Sequence, residues 1–137
     1  MTAGGRLPIA VRLFHWGIAA AVVLNAVVLE HGSLPHSVAG ISCVAMVVAR
    51  LFWKRSAAHF NPAAAYVYGA IWLAIGALGA TGWMMGMDVF WGNPWIGGAH
   101  RYTVYLLGLL VAAHLAGITL DAWRHKRKSW MRMIDGR

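Results

Sequence analysis

Acidic side chains are scarce in this sequence. Only 4 of its 137 residues are Asp or Glu, against 12 Lys and Arg, and charged residues make up 12% of the chain. A soluble domain carries about twice that charged fraction, so the composition argues against one. The single cysteine, Cys43, excludes an internal disulfide and also the C-x-x-C-H motif that attaches a c-type heme.

Hydrophobic residues are plentiful, at 60% of the chain, and they gather into four long runs. Each run has roughly the 17–25 residues that cross the hydrocarbon core of a bilayer. The sequence therefore predicts an all-α integral membrane four-helix bundle that forms a single domain over residues 1–137. The helices are expected at about 7–29, 36–53, 63–85 and 99–123, with a basic tail at 124–137.

Lys and Arg are distributed unequally between the two sides of such a bundle. With four spans, 11 of the 12 lie with the two termini and the loop after the second span. Only Arg101 lies on the other side, together with Glu30 and Asp88. The positive-inside rule predicts that both termini are cytoplasmic, in a bacterial inner membrane. Basic clusters between apolar runs favour contact with lipid over nucleic-acid binding.

Two histidines on the fourth run, His100 and His114, lie fourteen residues apart. On an α-helix that spacing is about 21 Å along the axis and within about 40° of whole turns, so both rings leave one face. Depth pairs His15 with His114 toward the cytoplasm and His36 with His100 toward the outside. Imidazole suits iron, so two pairs from different helices predict two bis-histidine hemes. Filled axial positions favour electron transfer over oxygen chemistry.

The alternative is that these histidines are polar contacts between membrane helices, in a heme-free structural or assembly subunit. Three further histidines, His31, His59 and His125, lie at loops or helix ends, where solvated side chains are expected. Gly40, one turn after His36, would let a porphyrin lie against bare backbone. Arginines beside the pairs would meet the heme propionates; the candidates are Arg101 outside and Arg12 or Arg124 inside.

Several segments resemble the prokaryotic cytochrome b561 family, which includes the b-type cytochrome subunits of nickel–iron hydrogenases. The segments are Val11–Trp16, Pro35–Gly40, Ala49–Trp53, the pair His100 and His114, and Trp130–Met133. The resemblance implies that His15, His36, His100 and His114 are the axial ligands of two b hemes. It also implies electron transfer between membrane quinones and a redox partner. Trp16, Asp88 and Trp95 are candidates for a quinone site.

Some members of this family oxidise superoxide and reduce ubiquinone, which is the alternative function. Basic surfaces steer anions such as superoxide, but the predicted external face has one arginine against two acids, so this role is disfavoured. The ending at residues 131–137 and the segment at 90–92 are more similar to small b cytochromes that pair with a c-type cytochrome. The expected partners are therefore lipid, quinone and a c-type cytochrome.

Overall fold

The computed structural model describes residues 7–52, 62–126 and 129–136. Each of its four long helices is long and apolar enough to cross a membrane, which confirms the predicted all-helical class. Short 3-10 turns lie at Asp88–Phe90 and Ser129–Met133. The helices are α1 (Ile9–Val23, continued by a π-helical turn at Leu24–Val28), α2 (Leu34–Phe52), α3 (Pro62–Met85) and α4 (Pro94–His125).

The fourth helix begins earlier than the sequence predicted. Its start was expected at residue 99, but α4 begins at Pro94. The Asn93 side chain accepts hydrogen bonds from the backbone N–H groups of Trp95, at 3.0 Å, and Ile96, at 3.4 Å. Asn is a preferred N-cap and Pro suits the first helical position, where its missing N–H is no loss. The prediction followed hydrophobicity alone and overlooked this start signal.

The other helix ends that the structure describes lie within two residues of their predicted positions. Helix α2 begins at Leu34, with Pro35 in its first turn. Trp53, its predicted last residue, lies outside the described residues. Helix α1 ends in a π turn, in which the Leu29 N–H donates to the Leu24 carbonyl at 2.8 Å. Such turns often occur at functional sites.

Consecutive helices pack side by side and run antiparallel, α1 on α2, α2 on α3 and α3 on α4. The turns after α1 and α3 lie at one end of the bundle, called here the hairpin end. Residue Leu7 and the C-terminal segment 129–136 lie at the opposite end, called the terminal end, where the Leu7 N–H donates to the Gly136 carbonyl at 2.9 Å. Each helix therefore has one half near each end.

The buried core lies at mid-height in the bundle. Most large apolar side chains instead point outward, as in Leu73 and Leu109, which suits helices surrounded by lipid. Small residues allow the helices to approach closely: a Cβ added to Gly79 would lie 2.5 Å from the Cγ2 of Val44. A side chain at position 79 would therefore force Val44 or the two helices to shift. The buried core residues are Ala21, Cys43, Val47, Ala74, Ile75 and Leu107.

Part of the predicted basic tail is folded against α1. The Arg12 Nη1 donates to the Ile134 carbonyl at 2.6 Å, and the Trp16 Nε1 donates to the Met133 carbonyl at 2.9 Å. Gly136 has a positive φ of 82°, and a Cβ added there would lie 3.2 Å from the Leu7 carbonyl oxygen. The C-terminal segment is thus attached to the first two turns of α1.

Candidate paired-histidine sites

The hairpin end contains one pair of histidine rings. His36 lies in the first turn of α2 and His100 lies in the second turn of α4. Their ring centroids are 6.5 Å apart and their planes are tilted by 59°. Both side chains are partly buried. The structure therefore brings together the two histidines that the depth argument assigned to the external side.

The terminal end contains the other pair. His15, in the second turn of α1, faces His114, about two thirds of the way along α4. Their ring centroids are 6.3 Å apart, again with a 59° tilt, and both are partly buried. Because α4 is unbroken from Pro94 to His125, one helix supplies a ring to each pair at levels about 21 Å apart.

Helix α3 contains no histidine, but it supplies a neighbour to each histidine of α4. The Thr81 Oγ1 lies 2.9 Å from the Nδ1 of His100. Nearer the terminal end of α3, the ring of Tyr68 packs edge to face on the ring of His114, with centroids 5.3 Å apart. Gly82 also faces His100, since a Cβ added there would lie 3.5 Å from its Cε1.

Helix α1 supplies the neighbours of the remaining two rings. The π turn contains Asn25. In the amide orientation that satisfies its partners, the Asn25 nitrogen donates to the Nδ1 of His36 at 3.3 Å and to the His36 carbonyl at 3.0 Å. The Asn25 oxygen accepts from the Gly40 N–H at 3.0 Å. At the terminal end, Trp16 lies edge-on to His15, with centroids 5.4 Å apart.

Sequence reasoning missed Thr81, Asn25 and Tyr68. A polar amide in an otherwise apolar span was a usable signal for Asn25, because such groups in membranes usually have a partner. Thr81 offered no such signal, since threonine hydroxyls in helices commonly bond to their own backbone. Only the alignment of α3 beside α4 identifies it.

The other predicted site residues have varied surroundings. Gly40 lies against the Asn25 side-chain amide, which would be 3.6 Å from an added Cβ. That is an ordinary van der Waals distance, so this contact alone does not require glycine. Arg101 is exposed on α4 next to His100. Arg12 binds the C-terminal segment through Nη1, while its buried Nε has no hydrogen-bond partner in the part of the chain that the structure describes.

The histidines expected at the surface differ from the paired ones in exposure. His31 and His125 are exposed, and His59 lies outside the described residues. The ring of His31 lies 5.6 Å from that of His36, so the hairpin end has a third imidazole nearby. Among the described residues, no group of three or more His, Cys, Asp or Glu side chains is placed to hold a metal ion. The internal histidines occur as two separate pairs.

The structure has four membrane-length helices and a pair of facing imidazoles near each end. These features define a class of integral membrane protein that could hold a cofactor between its helices at two levels. A sequence model of the prokaryotic cytochrome b561 family matches residues 6–136. Because the match covers nearly the whole chain, the chain belongs to that family. It is therefore a membrane b-type cytochrome that functions in electron transfer. No curated protein and no solved structure matches it.

The residues present fit the b-type heme that this family binds. If one metal lay between two rings, with a metal–nitrogen bond of about 2.0 Å to each and ring atoms about 1.1 Å from the ring centre, the centroids would be about 6.2 Å apart. The observed separations are 6.3 Å and 6.5 Å. Among the described residues, the buried Nε of Arg12 at the terminal end has no hydrogen-bond partner, and a propionate would satisfy it.

Proposed function

We propose that the chain is a di-heme b cytochrome that passes electrons between the quinone pool and a redox partner, a c-type cytochrome. The observation that carries the proposal is the pair of ring separations, 6.3 Å and 6.5 Å, which both match bis-imidazole ligation. In this proposal His15 and His114 hold one heme, and His36 and His100 hold the other. A heme held by two imidazoles exchanges an electron and has no open iron position for oxygen.

The protein's contribution is to fix the four rings and to limit their contact with water. All four side chains are partly buried, whereas the exposed His31 and His125 have no assigned role. Arg12 at the terminal end and Arg101 at the hairpin end are the proposed partners of the heme propionates. Gly40 is proposed to let the porphyrin approach the α2 backbone on the side that Asn25 leaves open.

The proposed topology places both termini in the cytoplasm, in the inner membrane of a bacterium. It is supported by the distribution of charge. Among the described residues, Arg12, Arg50, Arg124 and Lys126 lie toward the terminal end. In the sequence, 11 of the 12 Lys and Arg residues belong with the two termini and the loop after the second span. The hairpin end then faces outward with Arg101, Glu30 and Asp88. Exposed tryptophans near both ends, among them Trp95 and Trp123, suit the two interfaces of a bilayer.

A groove at the terminal end is the proposed quinone site. It has a volume of about 420 Å³, and it adjoins Trp16, whose ring contacts His15. The walls are mostly apolar, which suits a quinone ring and its isoprenoid tail. Asp88 and Trp95 lie at the hairpin end and are the candidates there. The groove is lined by Ile9, Arg12, Leu13, Trp16, Met133 and Ile134.

Stopped-flow mixing of the purified protein with ubiquinol, with superoxide and with oxidised c-type cytochrome tests this function. We expect rapid reduction by ubiquinol, followed by reoxidation by the c-type cytochrome, both read from heme absorption. Superoxide is expected to be a poor donor, since the hairpin end has one arginine against two acids. Faster reduction by superoxide than by ubiquinol would favour a superoxide oxidase. A colourless protein, purified from cells supplied with ample heme, would favour a structural subunit.

Filling the groove tests the location of the quinone site. Leu13→Trp is expected to slow reduction by ubiquinol about tenfold or more, because a second indole would occupy the space beside Trp16. The matched control is Leu73→Trp, at an outward position on α3 that is 77% exposed, and it should leave the rate unchanged. Equal rates in both variants would place the quinone elsewhere.

A further inference from the structure

The hydroxyl of Thr81 makes an unusual set of contacts for a threonine in a membrane helix. Its Oγ1 donates to the Ala77 carbonyl at 2.7 Å and lies 3.2 Å from the Leu78 carbonyl. The same oxygen lies 2.9 Å from the Nδ1 of His100, across the α3–α4 interface. The side chain thus joins the backbone of α3 to a histidine of α4.

Proton counting favours one direction for the contact between Thr81 and His100, which the distance alone does not give. A hydroxyl has one proton and two lone pairs, and carbonyl oxygens only accept. When Thr81 donates to Ala77, its oxygen is free to accept from the Nδ1–H of His100, so two hydrogen bonds form. If the hydroxyl instead turned toward Nδ1, only one would form. The first arrangement leaves the lone pair of His100 on Nε2.

We propose that Thr81 is a positioning residue for the heme at the hairpin end. Its oxygen accepts the Nδ1 proton of His100, holds the ring in the tautomer that ligates iron through Nε2, and makes that nitrogen more basic. This inference rests on the proposed function, since it requires His100 to be a ligand. Partners of this kind typically change metal affinity 10- to 100-fold when they are removed.

The contact also makes the two sites electronically different. The neighbours of His114 and His15 described above are aromatic rings, Tyr68 and Trp16. Greater basicity at Nε2 stabilises oxidised iron more than reduced iron. Thr81 should therefore lower the midpoint potential of the hairpin-end heme and leave the terminal-end heme unaffected.

Thr81→Val tests the proposal, because it keeps the side-chain shape and removes the hydroxyl. At fixed ambient potential we expect the reduced-to-oxidised ratio of the hairpin-end heme to rise up to about tenfold, equivalent to about 59 mV for one electron. Loss of that heme to an acceptor such as apomyoglobin should accelerate about tenfold or more. Redox titration in the His114→Leu background, where only the hairpin-end heme is expected, assigns the shift to that site.

Two controls separate this role from a general effect on packing. Thr81→Ser retains the hydroxyl and should restore the wild-type potential. Thr103→Val removes a matched hydroxyl that donates to the Ala99 carbonyl at 2.7 Å on the same helix as His100, and it should change nothing. An unshifted potential in Thr81→Val, equal shifts at both hemes, or failure of Thr81→Ser to restore the potential would each overturn the inference. A wild-type protein without heme would instead overturn the proposed function.

Discussion

Replacing the paired histidines by leucine, singly and in twos, tests which rings share an iron. His15 and His114 lie 6.3 Å apart, and His36 and His100 lie 6.5 Å apart. The two levels are separated by about 21 Å along α4, which is too far for a ring at one level to serve the other. Each single substitution is therefore expected to remove one six-coordinate low-spin heme of two and to leave the other intact.

Double variants distinguish this pairing from any other. His15→Leu with His114→Leu should remove the same single heme as either change alone, because both rings serve one iron. His15→Leu with His100→Leu should remove both. Electron paramagnetic resonance and the low-spin absorption bands give the count per chain. The exposed residues His31 and His125 provide leucine controls that should keep both hemes. The opposite pattern, with two hemes lost in the first double variant and one in the second, would refute the pairing.

Two further substitutions test the packing on which the sites depend. Gly79→Leu should destabilise the protein by about 1–3 kcal/mol, because even a Cβ there would lie 2.5 Å from Val44. Gly76→Leu is the control in a thermal unfolding assay, because a Cβ there would meet no atom of the described residues within 4 Å. Equal melting temperatures would contradict the expectation. Trp16→Phe removes the donor to the Met133 carbonyl and should weaken the attachment of residues 129–136 by about 1 kcal/mol. Hydrogen exchange measures this second effect, and unchanged protection of the segment would count against it.

Much of the architecture could be predicted from the sequence, because a membrane imposes strong constraints. A chain segment in hydrocarbon must satisfy its backbone internally, so apolar runs of sufficient length indicate helices. The depth of each histidine then followed from counting residues along four antiparallel spans. That is why the sequence paired His15 with His114 and His36 with His100, the same rings that face one another in the structure.

The missing parts depend on local chemistry or on side-chain contacts between helices. The early start of α4 was encoded in Asn93 and Pro94, but hydrophobicity outweighed this cap signal. The contact between Thr81 and His100 depends on the rotation and register of α3 beside α4, which hydropathy does not specify. The attachment of the C-terminal segment depends on Arg12 and Trp16, whose positions had suggested topology and cofactor binding rather than contacts with backbone carbonyls.

The heme content of the purified wild-type protein tests the central claim most directly. A pyridine hemochrome assay, combined with a protein determination, gives the type and number of hemes per chain. We expect two b-type hemes for each chain, one for each pair of facing rings. A value of one per chain, or a colourless protein from cells supplied with ample heme, would contradict the account.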